Sequence, residues 1–120
     1  MARRLPRGWV YSRPVIDREE HLRPLVDEIN EADWVAIDTE ADSLHAYPEK
    51  LCLIQVSVPG RDALVDPLAG MDLGGFFQAL RNHTLLMHGS DYDVRLFKRD
   101  HDFVPQSIFD TMLAARLIGR

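Results

Sequence analysis

Apolar residues follow two patterns along this chain of 120 residues, and each pattern predicts one kind of secondary structure. Short runs rich in strand-forming residues predict five β-strands, at 34–37, 51–58, 63–66, 85–88 and 107–109. Apolar residues at helical spacing predict helices at 17–31, 71–82, 91–100 and 111–118. Because strands and helices alternate over most of the chain, the pattern indicates an α/β domain.

Turn and helix-end residues refine this order of elements. The first three predicted strands are joined by short links, and residues 59–62 have the sequence of a hairpin turn. We therefore expect an antiparallel meander with the first strand inside the sheet. Asp17 is the predicted N-cap of the first helix. Pro24 lies within that helix and is expected to kink or split it, because proline has no N–H to donate.

Two carboxylates, Asp38 and Glu40, end the first predicted strand. Residues two apart in a strand point the same way and lie about 7 Å apart along it, so these acids share one face and Thr39 takes the other. Neighbouring carboxylates repel each other, whereas a divalent cation such as Mg²⁺ prefers oxygen ligands. The pair predicts a metal site, and a polar strand end or turn is the alternative.

Three further acids lie at the ends of later elements. Asp91 and Asp93 follow the fourth predicted strand, near the start of a helix whose dipole favours negative charge. Asp110 directly precedes the last predicted helix. We interpret Asp110 as an N-cap rather than as a metal ligand.

The composition is that of a soluble globular domain, with 46% hydrophobic and 28% charged residues. No apolar run approaches the ~20 residues of a membrane span, so no membrane partner is expected. The N-terminal arginines precede no apolar segment, so no signal peptide is expected. The only cysteine, Cys52, lies in a predicted strand and is expected to be a small core residue. These features favour a cytoplasmic protein.

The formal net charge of −5 argues against non-specific binding to nucleic acid. It does not argue against a nuclease, because a metal site needs acids and the ions then cancel part of their charge. Residues 1–13 hold four arginines. We predict a loose solvated arm there, with a short strand near 9–11, and a tail that contacts phosphates is the alternative.

Four segments of the sequence resemble, in order, the ribonuclease D family of 3′–5′ exonucleases, which belongs to the DEDD superfamily: AIDTEADS, YPEKLCLIQVSV, LMHGSDYDVRLFKRD and FDTMLAARLIG. The resemblance covers residues 34–119. It implies a ribonuclease H-like α/β fold with a mixed five-stranded sheet and flanking helices. A receiver-like doubly wound domain with an acidic pocket is the alternative, and it would have an all-parallel sheet.

The resemblance also implies two Mg²⁺ or Mn²⁺ ions, which serve both ends of an in-line displacement at a phosphodiester. By resemblance, Asp38 bridges both ions and Glu40 holds the ion that activates water. Asp93 precedes the run VRLFKRD, as the metal-site acid does in the family, and would support the second ion through its waters. Asp91 is then left to helix capping.

One family motif, a tyrosine followed four residues later by an aspartate, does not occur in this sequence. It is expected beyond Arg120, so the chain is interpreted either as an incomplete exonuclease-type domain or as a short relative with altered activity. In both cases we expect little nuclease activity from these 120 residues alone. We also expect apolar side chains near the C-terminus to be exposed and to be covered by a second copy in a homodimer.

The resemblance therefore implies a metal-dependent 3′–5′ exonuclease that acts on RNA 3′ ends. His45 and Tyr47, in the polar loop after the first strand, are candidates for contacts with the terminal nucleotide, with ordinary loop packing as the alternative. A DNA-directed exonuclease of the same fold would differ in contacts to the 2′-hydroxyl. A non-catalytic module that binds nucleic acid or protein is the alternative from another class.

Overall fold

The computed structural model describes residues 14–42 and 49–119. In chain order the elements are β1 (Val15–Ile16), α1 (Glu19–Glu31), β2 (Val35–Asp42), β3 (Lys50–Val58), β4 (Arg61–Val65), α2 (Gly74–Arg81), β5 (Thr84–Met87), α3 (Ser90–His101), β6 (Ser107–Asp110) and α4 (Thr111–Leu117). The predicted basic arm and the predicted strand near 9–11 lie outside the described residues. No helix of the described residues is long and apolar enough to cross a membrane.

The six strands found in the described residues form one mixed sheet in the order β1-β4-β3-β2-β5-β6. Strands β2, β3 and β4 are antiparallel neighbours, whereas the pairs β1–β4, β2–β5 and β5–β6 are parallel. The mixed sheet and its antiparallel meander are therefore confirmed, and the all-parallel alternative is wrong. The predicted count of five strands was one too low, because β1 is two residues long and pairs only with β4 at the sheet edge. A two-residue strand shows no alternation that a sequence pattern can reveal.

Two helices begin later than predicted. Helix α1 begins at Glu19 and its N-cap is Arg18, which makes no side-chain cap hydrogen bond, so the predicted cap at Asp17 was wrong. Helix α2 begins at Gly74 rather than at 71, because the Asp72 carboxylate accepts the Gly74 N–H at 2.9 Å and forms a turn there. At α2 a local side-chain turn at Asp72, rather than the apolar pattern, therefore decides where the helix begins.

Pro24 lies inside α1 and does not split it. The proline removes one backbone hydrogen bond from a helix of 13 residues. Against that loss, α1 buries a stripe that includes Leu25 and Ile29, both 0% exposed. Each fully buried side chain of this size contributes about 1.5–3 kcal/mol, so burial outweighs the missing bond.

Aromatic residues fill the core beneath α2 and α3. The ring centroids of Phe77 lie 5.8 Å from Phe97 and 4.8 Å from Phe103, and Phe76 and Phe77 meet edge to face at 5.3 Å. The prediction that the apolar stripe of α2 faces inward is confirmed, since its phenylalanines are buried. This core holds α3 against the sheet independently of the polar contacts at the start of that helix.

A β-bulge interrupts the pairing of β2 with β3. Glu40 pairs with Leu53, but the next residue pairs with Leu51, so Cys52 is the extra residue of β3. The bulge reverses the alternation of β3, and Leu51 is fully buried where Cys52 was expected in the core. Cys52 is instead half-buried, and its thiol lies 3.4 Å from the Glu40 carbonyl oxygen as a hydrogen-bond donor. Burial is the main cause that raises the pKa of this thiol.

His101, at the end of α3, predicts a pH dependence of stability. Its ring lies 5.1 Å from the Phe77 ring, and its Nε2 is buried without a hydrogen-bond partner. Burial lowers the pKa of His101, and the charge of Asp100 opposes this effect. The unfolded chain therefore binds a proton more readily as the pH falls below the ordinary histidine pKa of about 6.5, which destabilises the fold.

When the pH is lowered from 7.5 to 5.5, we expect the free energy of unfolding to decrease less for His101→Phe than for the wild type. Urea denaturation at each pH measures this difference. His21→Gln, at an exposed histidine, is the matched control and should follow the wild type. Equal pH dependence of His101→Phe and the wild type would show that the buried imidazole does not resist protonation.

Candidate active site at the end of strand β2

Strand β2 lies between β3 and β5 and extends well beyond β5. Only Val35 and Ala36 pair with β5, whereas Asp38 and Glu40 pair with β3 alone. Chain reversal after β5 brings the first turn of α3 to the free edge that β2 leaves here. The two predicted metal-site acids therefore lie within β2, close to the start of α3. The prediction that they end the strand was wrong, because pairing with β3 continues β2 to Asp42.

Asp93, in the first turn of α3, contacts β2 directly. The Thr39 hydroxyl donates a hydrogen bond to Oδ1 of Asp93, 54 positions further along the chain. Of the charged residues that the structure describes, Asp93 alone is buried, with 7% of its surface exposed. The sequence analysis assigned no functional role to Thr39. Its place between the two acids was the only signal that might have drawn attention to it.

The three predicted acids share one electrostatic environment. Burial is the main cause that raises the pKa of Asp93, the Thr39 hydrogen bond opposes it, and the charges of Asp38 and Glu40 raise it further. Asp38 is exposed, and its Oδ1 accepts the Thr39 N–H at 2.9 Å. Glu40 is half-buried. A cation in this place would offset the repulsion among the three carboxylates.

The donor atoms fit a hard divalent cation in kind, because they are carboxylate oxygens. Within residues 14–42 and 49–119, however, no group of three or more His, Cys, Asp or Glu side chains is arranged to hold an ion by itself. The sequence also lacks the Tyr-x-x-x-Asp motif. The described residues thus offer part of the ligand set that the resemblance implies.

Asp110 holds the turn that leads into α3. Its carboxylate accepts the N–H groups of Gly89 at 3.0 Å and Ser90 at 2.7 Å, and also the Ser90 hydroxyl at 2.9 Å. The same carboxylate accepts the N–H groups of Met112 and Leu113, so the predicted N-cap of α4 is confirmed. These hydrogen bonds hold the pKa of Asp110 far below its usual range. One side chain therefore caps two helices.

The predicted cap at Asp91 was wrong. Asp91 lies exposed in the first turn of α3, where the helix dipole still favours its charge. The N-cap of α3 is Gly89, which adopts a left-handed φ of 64° without strain. Glycine has no side chain that could accept a hydrogen bond from the helix. Asp110 supplies the acceptor from a distant part of the chain instead.

A second polar network joins the outer face of α3 to the start of β3. The Tyr92 hydroxyl donates to the Glu49 carboxylate, and the Arg99 guanidinium donates to the Glu49 carbonyl. The Asp100 carboxylate accepts the Leu51 N–H at 3.0 Å. The candidate substrate contacts His45 and Tyr47 precede Glu49 in residues 43–48, which lie outside the described residues. Their role stays a prediction.

A family model described as 3′–5′ exonuclease matches residues 14–120. The chain belongs to this family. Exonucleases of the family generally use divalent metal ions. The carboxylates of Asp38, Glu40 and Asp93 are ligands of the kind that such ions prefer.

Known proteins place this exonuclease domain near ribonuclease D. The chain is 36% identical over 93 residues to ribonuclease D of Jannaschia sp. (strain CCS1), which covers 72% of this chain and 24% of the relative. It is 32% identical over 105 residues to the exosome complex component 10 homolog of Caenorhabditis elegans, covering 85% of this chain and 12% of the relative. The chain thus spans about a quarter or less of these relatives.

The fold of this exonuclease domain also matches a solved structure. The crystal structure of Escherichia coli RNase D, an exoribonuclease involved in structured RNA processing, superposes with a TM-score of 0.80 at 29% identity. The match covers 88% of this chain and 29% of that one. The predicted ribonuclease D resemblance and α/β fold are therefore confirmed.

The double cap by Asp110 predicts a stability effect larger than that of an ordinary helix cap. Asp110→Ala removes acceptors for the starts of both α3 and α4, whereas Ser90→Ala removes only one of these hydrogen bonds. We expect a clear fall in thermal midpoint for Asp110→Ala and a smaller one for Ser90→Ala, measured by circular dichroism.

The pH dependence of this effect follows from the lowered pKa of Asp110. The stabilisation is fully present above the ordinary aspartate pKa of about 3.9 and is lost as the pH falls towards the folded value. The difference between the wild type and Asp110→Ala should therefore shrink below pH 4. A difference that is constant from pH 7 to pH 2 would contradict the role of the ionised carboxylate.

Proposed function

We propose that this chain forms part of a metal-dependent 3′–5′ exonuclease that removes nucleotides from RNA 3′ ends. The observation that carries the proposal is that the buried Asp93 of α3 is bound to β2 between two further acids, whose charges raise its pKa. Asp38 and Glu40 lie on β2, and Asp93 is held against β2 by the Thr39 hydroxyl. The similarity to ribonuclease D and to an exosome component supports RNA, rather than DNA, as the substrate.

We propose Mg²⁺ or Mn²⁺ as the metal, with two ions bound. When bound, the ions would activate the attacking water and stabilise the leaving oxygen. In this chain Asp38, Glu40 and Asp93 would hold them, because these carboxylates offer hard oxygen donors and share one negative environment. The cytoplasmic location that the sequence favours stays a prediction.

A second candidate function is a non-catalytic module that keeps the fold and holds nucleic acid or protein without cutting it. The observation that favours it is that, within the described residues, no three His, Cys, Asp or Glu side chains are arranged to hold an ion by themselves. The exonuclease needs the three acids, whereas a binding module does not. A cleavage assay therefore distinguishes the two functions, because only the exonuclease cuts RNA and loses this activity when one of the acids is replaced.

We expect Asp38→Ala, Glu40→Ala and Asp93→Asn each to abolish cleavage of labelled RNA by the full-length protein without loss of helical content. Asp91→Asn is the matched control, since it changes the same charge two positions away on an exposed site of the same helix. It should have a mild effect, because Asp91 is exposed and does not cap α3. DNA oligomers of the same sequence, tested beside the RNA, report the substrate class.

Equal damage by Asp91→Asn and Asp93→Asn would show that the wrong acid of α3 is assigned to the site. Full activity of Asp38→Ala would contradict the metal-dependent exonuclease and favour the binding module. Degradation of DNA but not RNA would keep the nuclease and overturn its proposed substrate. The 120-residue chain alone is expected to show little activity in the same assay.

We also propose that the chain by itself forms a homodimer through an apolar face at β6 and α4. Its large side chains are half or more exposed: Phe109 51%, Leu113 55%, Leu117 79% and Ile118 72%. Apolar patches of this kind are uncommon on the surface of soluble monomers. A two-fold arrangement would cover the face with an identical copy.

Light scattering at increasing concentration should give the mass of a dimer for the 120-residue chain and of a monomer for Leu113→Glu. Val104→Glu, which changes an exposed apolar residue outside β6 and α4, is the control and should remain dimeric. A wild-type chain that is monomeric at all concentrations would contradict this proposal.

A further inference from the structure

Thr39 supplies the only hydrogen bond to Asp93 that the structure records from β2. The threonine lies between Asp38 and Glu40 in sequence, yet its side chain meets the third acid rather than either neighbour. Thr39 is half-buried and Asp93 is buried, so the hydrogen bond lies at the border between core and site. A contact in this place acts on the orientation of the Asp93 carboxylate.

Strand alternation explains why a hydroxyl at this position is unexpected from packing alone. Val35 and Ile37 are buried on β2, and Thr39 continues their alternating positions. Valine has nearly the same shape as threonine and would suit that position in a strand. What threonine adds is the hydroxyl, and that hydroxyl is directed at Asp93.

The hydroxyl is not needed to attach α3 to the sheet. Leu96 and Phe97 of α3 are buried in the core. Asp110 holds the turn that precedes the helix, and Tyr92 joins the helix to Glu49. With α3 anchored at these other points, the contact from Thr39 bears on one side chain, Asp93.

We infer that Thr39 is a positioning residue that orients the Asp93 carboxylate, so that one oxygen is held by the hydroxyl and the other serves a divalent cation. The inference rests on the proposed function, because it assigns Asp93 to the metal site. Residues that orient metal ligands in this way commonly change metal affinity by about 10–100-fold when they are altered. Thr39 should therefore control how tightly the site binds its ion before substrate is present.

The test is a titration of the full-length protein with Mn²⁺, in which electron paramagnetic resonance measures the free ion without substrate. We expect Thr39→Val to weaken Mn²⁺ binding by about 10–100-fold. Thr39→Ser restores the hydroxyl and should bind within a few-fold of the wild type. Asp93→Asn marks the loss of the ligand itself. Without metal, Thr39→Val should unfold at a lower temperature than Thr39→Ser, because it lacks the hydrogen bond to a buried charge, while both variants stay folded at the temperature of the titration.

Cleavage assays supply a second measurement. Thr39→Val should need more Mn²⁺ for half-maximal cleavage and should recover a large part of its rate at high Mn²⁺, which a purely structural defect would not do. If Thr39→Val does not fold, Thr39→Ala is compared with Thr39→Ser in the same titration, with the same expected loss of affinity.

Two results would overturn the inference while leaving the proposed function intact. One is Thr39→Val binding Mn²⁺ as tightly as the wild type while Asp93→Asn binds it weakly. The other is Thr39→Ser binding as weakly as Thr39→Val, which would show that the hydroxyl is not the decisive group. A wild type that binds no Mn²⁺ would overturn both the inference and the proposed function.

Discussion

The burial of a carboxylate beside two others is the constraint on which this site depends. Asp93 is 7% exposed, and the charges of Asp38 and Glu40 act on it unfavourably. Transfer of an ionised group out of water costs on the order of several kcal/mol. A hydrogen bond to a charged group contributes about 1.5–3 kcal/mol, so the Thr39 hydroxyl offsets only part of that cost. The proposed cation would supply the rest by offsetting the charge of the carboxylates.

The fold tolerates this unfavourable cluster because separate elements hold it in place. Strand β2 extends beyond β5 and leaves an edge to which the first turn of α3 can come close. Asp110 fixes the turn before α3 by accepting two backbone N–H groups, and the aromatic core fixes the rest of the helix. The contacts that stabilise the fold thus lie away from the acids, in the Asp110 turn and the aromatic core. Many proteins with locally strained functional sites are stabilised in this way.

The bulge beside Glu40 shows how the same strand serves both core and site. The extra residue, Cys52, shifts the alternation of β3 so that Leu51 enters the core. On the opposite strand Glu40 receives a hydrogen bond from the Cys52 thiol at its carbonyl. Bulges are frequent next to active sites because they alter the direction of a strand and its side chains. Here the bulge lies directly at one of the predicted metal ligands.

Features of this protein that depend on neighbouring residues could be predicted from the sequence by itself. The apolar runs predicted the strands from β2 to β6, and Asp110 next to a helix start predicted a cap. The metal site that Asp38 and Glu40 predict stays a prediction. Each of these signals arises within a few residues, where periodicity and side-chain chemistry operate directly. The family resemblance added Asp93, which periodicity alone left equivalent to Asp91.

Tertiary structure alone decided the features that join distant residues. The edge strand β1 exists only through its pairing with β4, and Cys52 left the core only because of its register with β2. Asp110 caps α3 from 20 positions away, and Thr39 meets Asp93 across 54 positions. No local pattern encodes such pairs, because the order of strands in the sheet, rather than the order of residues in the chain, determines which side chains meet.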